Sequence, residues 1–187
     1  MINYTTSDTR DDLAGILHLQ KSNLLKALTK EEIQSQGFLT VNHSYEELKN
    51  LNDIEKHIIA KDGDKIIAYL LAMTEQSKFE IPILVPMFEI FGKTSFAGKL
   101  ISDYNYIVVG QACVGKQYRG QGVLDNCYSA YKNHFINKYD FAITEIASTN
   151  TRSLNAHKRI GFKEINTYIS TDKTEWHVVL WDWKESK

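Results

Sequence analysis

Cysteine and proline each occur only twice in 187 residues, and glycine only ten times. Two cysteines, Cys113 and Cys127, are too few for a disulfide framework, so a reducing, cytoplasmic location is expected. No stretch rich in proline or glycine divides the chain, and one domain over residues 1–187 is expected. An excess of charge of one sign is missing too: 22 basic against 23 acidic residues leave a net charge of −1. The longest basic cluster is Lys158-Arg159, so bulk electrostatic binding to nucleic acid or to an anionic membrane is not expected. No apolar run reaches the length of a membrane span, and the first residues lack the basic and hydrophobic regions of a signal peptide. The six histidines show no metal-ligand spacing, so no metal is expected.

What is present is the composition of a globular chain, 43% hydrophobic and 24% charged. Residues 1–5 read as a strand. Leu13, Ile16, Leu17, Leu19, Leu24 and Leu25 follow helical spacing and predict a helix over 11–28. Thr29 and Ser44 read as N-caps of short helices over 30–36 and 45–51. Residues 57–60 and 65–73 form a hairpin about Asp62-Gly63. The apolar stretch 76–103 contains a helix near 87–91 and a further turn near 96–100, and fits core, a dimer face or a substrate-pocket wall. Strands are predicted over 104–114, 141–147, 162–170 and 176–183, with helices over 121–137 and 151–159. Gly110 inside the first of these strands marks a bulge or a close backbone approach. Strand–helix–strand units imply a mixed α/β (α+β) fold whose central sheet is partly parallel, with helices packed on it.

The segment Gln111-Ala112-Cys113-Val114-Gly115-Lys116-Gln117-Tyr118-Arg119-Gly120-Gln121-Gly122-Val123 carries the first chemical signal. A strand runs into a glycine-containing turn that opens a helix. Unpaired N–H groups and the positive end of the helix dipole make such a turn a cradle for phosphate. Gly120 and Gly122 let the backbone approach the anion, and Arg119 adds a charge. A mononucleotide P-loop is excluded because Gln117 stands where Ser or Thr would hold Mg²⁺. A dinucleotide fingerprint lacks its third glycine, replaced by Asp125. Thirty residues later, Asn150, Ser153 and His157 fall at i, i+3 and i+7 on one helix face.

Gln117-x-x-Gly120-x-Gly122 and Asn150-x-x-Ser153-x-x-x-His157-x-x-x-Gly161-Phe162 resemble the two main motifs of the GNAT superfamily of N-acetyltransferases. The resemblance implies a sheet splayed at the cofactor, helices on both of its faces, and acetyl-CoA as co-substrate. It implies that the pantetheine arm pairs with Ala112, Cys113 and Val114. The pyrophosphate is then held on the amides of Arg119, Gly120, Gln121, Gly122 and Val123, with Gln117 and Ser153 in the same set. Asn150 would bond the pantetheine amides. His157 stands where the family often has a tyrosine held to protonate the leaving thiolate. It either takes that role or orders the helix face.

Transfer to an amine also needs a group that removes a proton, since an alkylamine has a pKa near 10.4. The strand before the loop has no acid, and Gln111 is its nearest polar side chain, which makes Gln111 and His157 the catalytic candidates. Glu145, Glu89, Glu31, Glu32 and His43 are further candidates for the base. Cys113 offers a covalent acetyl-cysteine route, but no histidine at a fixed local spacing activates it. Direct transfer in a ternary complex to a primary amine of a small molecule, amino acid or peptide is expected. The alternative is a non-catalytic CoA-binding regulatory module. Residues 11–51 and 76–103 are expected to line the acceptor pocket, and a homodimer through 81–101 is a candidate arrangement.

Overall fold

A computed structural model describes residues 1–184. The strands are β1 (Ile2–Thr6), β2 (Ile58–Asp62), β3 (Lys65–Met73), β4 (Ser95–Phe96), β5 (Lys99–Leu100), β6 (Tyr106–Val114), β7 (Phe141–Ala147), β8 (Lys163–Ile169) and β9 (Glu175–Asp182). The helices are α1 (Arg10–Lys21), α2 (Lys30–Gln36), α3 (Tyr45–Ile54), α4 (Val85–Lys93), α5 (Val123–Phe135) and α6 (Thr151–Ile160). Seven strands form one sheet in the order β1-β2-β3-β6-β7-β9-β8, and its one parallel pair is β6 with β7. Among the described residues no helix is long and apolar enough to cross a membrane.

Alternation along the strands divides the core between the two faces. Phe141 and Ile143 pack with Leu13, Ile16, Leu48 and Leu51 of α1 and α3. Ala142 and Ile146 pack with Cys127, Tyr128 and Tyr131 of α5. Each of α1, α2 and α3 opens with a capping box, on Thr9, Thr29 and Ser44, which satisfies N–H groups that have no partner inside the helix.

Three sequence expectations change. The helix predicted to Leu28 stops at Lys21, because the Asn23 side chain donates to the Leu19 carbonyl at 2.8 Å and the chain turns away. Leu24 is still core, but by pairing with Leu39 in an isolated parallel bridge. The turn predicted near 96–100 is instead a hairpin of β4 and β5 about Ala97-Gly98, both with positive φ. The stretch 76–103 lines neither cavity described below. Ile81, Leu84, Met87, Phe88, Phe91 and Ile101 are buried core on the α1 face.

The feature that positions the site is the irregularity expected at Gly110. On β3, Leu71 pairs with Gln111 while Ala72 pairs with Val109, so Gly110 is the extra residue of a bulge. A β-carbon at Gly110 would meet the Met73 sulfur at 2.2 Å. Just before the bulge β6 leaves β7: their pairing covers only Tyr106–Val108 against Phe141–Ile143. Carbonyls at the parting find side-chain donors instead. Tyr131 Oη donates to the Val108 oxygen at 3.1 Å, and Thr144 Oγ1 to the Val109 oxygen at 2.8 Å.

His57 closes a second gap in the ladder, where β2 begins. Its Nδ1 accepts from the Ala72 N–H at 3.1 Å, and its Nε2 donates to the Leu48 carbonyl at 3.2 Å. These bonds require the neutral ring, and burial lowers its pKa to about 3. A depressed histidine adds stability above pH 6.5 that is lost as pH falls through its folded pKa.

Two outcomes follow. Gly110→Ala is expected to cost about 1–3 kcal/mol in denaturant unfolding through overpacking against Met73. Gly92→Ala, in α4 with open space around its α-carbon, should be neutral or stabilising. In a pH series of thermal unfolding, wild type loses stability between pH 6.5 and about 3, and His57→Gln should flatten that part of the curve.

Candidate active site

The parting of β6 from β7 opens two cavities that meet. The larger, about 780 Å³, runs along the start of α5 and the face of α6. The smaller, about 80 Å³, lies between Val109–Ala112 of β6 and Thr144–Ala147 of β7. Phe38, Leu39, Ala112, Asn150, Ser153 and His157 line both, so these residues mark the junction.

The cradle is built by backbone. α5 starts at Val123 without a side-chain cap, so its first amides lack partners within the protein helix. Gly120 and Gly122 have φ of +74° and +76°, a region that disfavours any residue with a β-carbon. Both line the larger cavity, and a β-carbon added to either would meet no protein atom, so it would project into open groove. Val123 is buried beneath. Gln117 and Gln121 are exposed and lie outside the lining. They clip the loop to itself, Gln121 Nε2 donating to the Gln117 carbonyl at 2.7 Å.

Arg119 does not present a free charge to the cradle. Its guanidinium donates to the Val114 carbonyl, to the carbonyl and side chain of Gln36, and to Asn23 Oδ1 at 2.5 Å. It fastens the end of α2 to the end of β6. Arg152 donates to the Ser35 carbonyl, and Lys116 pairs with Glu32 at 2.6 Å. Residues 30–39 thus form a strap along one wall of the larger cavity. The carboxylate of Asp125, at the position of the missing third glycine, is neutralised by Arg159 at 2.7 Å.

Asn150 is the N-cap of α6, yet its side chain does not cap its own helix. Its Nδ2 donates to the Phe38 carbonyl at 3.1 Å, and its Oδ1 is buried without a partner at the junction. A buried carbonyl oxygen without a donor costs stability unless something meets it. An amide N–H of a ligand fits that vacancy in chemistry and place. Two turns on, His157 Nδ1 lies 2.8 Å from the Ser153 carbonyl, which only accepts, so Nδ1 carries the proton. Nε2 then accepts from Tyr128 Oη at 2.5 Å. Burial lowers the His157 pKa to about 4, consistent with a neutral ring whose two nitrogens are both engaged. Ser153 Oγ lies 3.3 Å from the same Nδ1.

On the other side of the opening, Gln111 is engaged through both its oxygen and its nitrogen. Its Oε1 accepts from Tyr69 Oη at 2.6 Å and from Gln20 at 3.2 Å, and its Nε2 donates to the Val41 carbonyl at 2.9 Å. Ala112 and Val114 line the larger cavity, as does Cys113, whose thiol burial pushes up to about 12. The acid that reaches the opening is Glu145, in the wall of the smaller cavity. Burial raises its pKa to about 7, opposed by a hydrogen bond from Tyr168 at 2.5 Å. The other base candidates do not line either cavity: Glu31 and Glu89 are exposed, Glu32 is paired, and His43 is buried beside Gln20. A carboxylate near neutrality, facing a neutral slot that joins an anion cradle, can accept a proton from an amine positioned between them.

No family model and no curated protein matches the chain. Solved structures do. The chain is similar to one in the NatC complex bound to Gag peptide and CoA, at 15% identity and TM-score 0.64, over 98% of this chain and 99% of that one. It is similar to a Desulfovibrio desulfuricans protein assigned to the GNAT family of acetyltransferases, at 9% identity and TM-score 0.65, over 97% and 99%. The ribosomal-protein-S18-alanine N-acetyltransferase of Escherichia coli matches at 11% identity and TM-score 0.58, over 100% and 97%. At these identities the likeness is one of fold: the chain has the GNAT fold.

The buried thiols give a direct check. In the folded protein at pH 8, Cys113 and Cys127 should react with a disulfide reagent at less than about a hundredth of the rate of a free thiol, because the thiolate is the reactive form. Both should react at once in denaturant. A fast thiol in the folded state would contradict the burial of these two side chains.

Proposed function

We propose that the chain is an acetyl-CoA-dependent N-acetyltransferase acting on a primary amine, by direct transfer in a ternary complex. The observation that carries this is the placement of Glu145: a carboxylate with its pKa near 7 faces the opening of β6 from β7, where that opening meets the uncapped start of α5. The unmet Oδ1 of Asn150 and the open space above Gly120 and Gly122 support acetyl-CoA as the occupant of the larger cavity.

When bound, acetyl-CoA supplies the thioester whose acetyl carbon the amine nitrogen attacks. The C–N bond forms and the C–S bond breaks, so the sulfur leaves with the electron pair. Glu145 takes the proton shed by the nitrogen and passes it to water when the product departs. The inner edge of β6, unpaired beyond Val108, offers backbone N–H groups to a carbonyl oxygen on which negative charge gathers. Asn150 would accept an amide N–H, and the amides from Arg119 to Val123 would hold phosphate. Gln111 fixes the Val41 loop against β6, and His157 locks α6 to α5 through Tyr128. The bonds of His157 favour its helix-ordering role over that of acid. A thiolate with a pKa near 8.5 leaves without one.

A peptide amine is the favoured acceptor, since one similar structure holds a peptide and another is named for a protein alanine. A cytoplasmic location accords with two unpaired, buried cysteines. The second reading, CoA binding without transfer, draws its support from the engaged nitrogens of His157.

Incubation with acetyl-CoA and a panel of peptide and alkyl amines, with detection of free thiol, tests both. Expected is release above hydrolysis for at least one amine. Because Glu145 must be ionised, kcat/KM should fall as pH drops below about 7. Glu145→Gln should lower it by about 100-fold or more, with acetyl-CoA affinity by calorimetry unchanged. Binding without thiol release would select the regulatory reading. Absence of a complex at millimolar acetyl-CoA would overturn both.

A further inference from the structure

Tyr168 and Glu145 do not belong to neighbouring strands. Glu145 lies on β7 and Tyr168 on β8, with β9 between them. Glu145 is aligned with Val178 of β9, and Val178 with Asn166 of β8, so Tyr168 sits one row further along the edge strand, aligned with Trp176. Its ring lies over the sheet, partly buried against the α1-face core, and its hydroxyl meets Glu145 Oε2 at 2.5 Å. A tyrosine on an edge strand has solvent available to its hydroxyl. Here the side chain instead spans a whole strand to reach a carboxylate in the wall of the smaller cavity.

We propose that Tyr168 is a positioning residue for Glu145, its phenol O–H holding the carboxylate in the ionised, proton-accepting form and aiming its second oxygen into the cavity. This rests on the assignment of Glu145 as the base. The chemistry runs in one direction only. A phenol donates to the ionised carboxylate far better than to the neutral acid, so the bond favours the charged state that burial disfavours. The phenol itself keeps its proton, because burial and the adjacent carboxylate push its pKa above the ordinary value. With Oε2 engaged by Tyr168, Oε1 is left for the incoming amine.

The other groups that bear on the pair do not supply an opposite charge. On the same side of the sheet, Tyr69 and Cys113 are held neutral by burial, and His43, in the loop before α3, is neutral for the same reason. His157 of α6 is neutral across the junction. Asp172, in the β8–β9 turn, is an anion and acts on Tyr168 by raising its pKa further. No lysine or arginine lies among the described residues lining the smaller cavity. The Tyr168 hydroxyl is therefore what opposes the burial of Glu145.

The test uses the full chain labelled with ¹³C at its glutamate side-chain carboxyls. The carboxyl resonance missing from Glu145→Gln identifies Glu145, and its titration is followed from pH 5 to 9 in wild type and in Tyr168→Phe. The expected result is a midpoint about one pH unit higher in Tyr168→Phe, equivalent to roughly a tenfold loss of ionised carboxylate below the midpoint. The acid limb of kcat/KM should move to higher pH by the same amount. A midpoint unmoved by Tyr168→Phe overturns the proposal and leaves the base assignment intact. Glu145→Gln working at the wild-type rate overturns the base assignment, and the proposal with it, whatever the midpoint does.

Discussion

Met73 and Gly110 occupy the same few cubic ångströms. The methionine side chain fills the place where any β-carbon at 110 would be, so β6 passes it only as glycine and only with one residue out of register. The open seam lies beside that crowding: β6 parts from β7 after Val108, two residues before Gly110. The seam would be costly if it left carbonyls unmet. Tyr131 and Thr144 meet those of Val108 and Val109, one from below on α5 and one from the opposite strand. The opening is consequently a settled part of the fold and does not wait for a ligand to pry it apart.

Charge is distributed to the same end. The cationic side chains nearest the cradle are occupied: Arg119 with Asn23 and Gln36, Arg159 with Asp125, Lys116 with Glu32. Anion recognition falls to the backbone, which has no counter-charge to shed and no rotamers to fix. A chain of net charge −1 can therefore present a phosphate cradle. In the smaller cavity the opposite policy holds. No lysine or arginine among the described residues lines it, and burial carries the Glu145 pKa up to about 7.

Periodicity in the sequence is enough to place most strands and helices, and two spaced motifs are enough to place the cradle and the α6 face. Gly110 announces the bulge. Leu24 shows where periodicity misleads: it keeps helical phase with Leu13 and Leu17 but is buried by a β-bridge to Leu39 after Asn23 has ended the helix. Glu145 is one of four glutamates that stand with His43 as candidates for the base, and a strand glutamate ordinarily faces water. One signal did single it out. It stands in phase with Phe141 and Ile143 on a strand buried on both faces, where an acid has no business unless the strand borders a cavity. The Tyr168 contact had no such signal, because it crosses a strand and depends on the order β7-β9-β8, which no local pattern encodes.

The strap along the larger cavity joins distant parts of the chain. Arg119 holds Asn23 across 96 residues, Asn150 holds Phe38 across 112, and Arg152 holds Ser35 across 117. Closing loops of that length is slow, and contacts so far apart in sequence are made late. During synthesis the first wall of the groove emerges long before the second exists. The hairpin of β2 and β3 and the α1 packing can form on their own schedule, but the groove comes into being only after residues 150–152 have left the ribosome. Binding competence is thus among the last properties this chain acquires, well after most of its hydrophobic surface has been hidden.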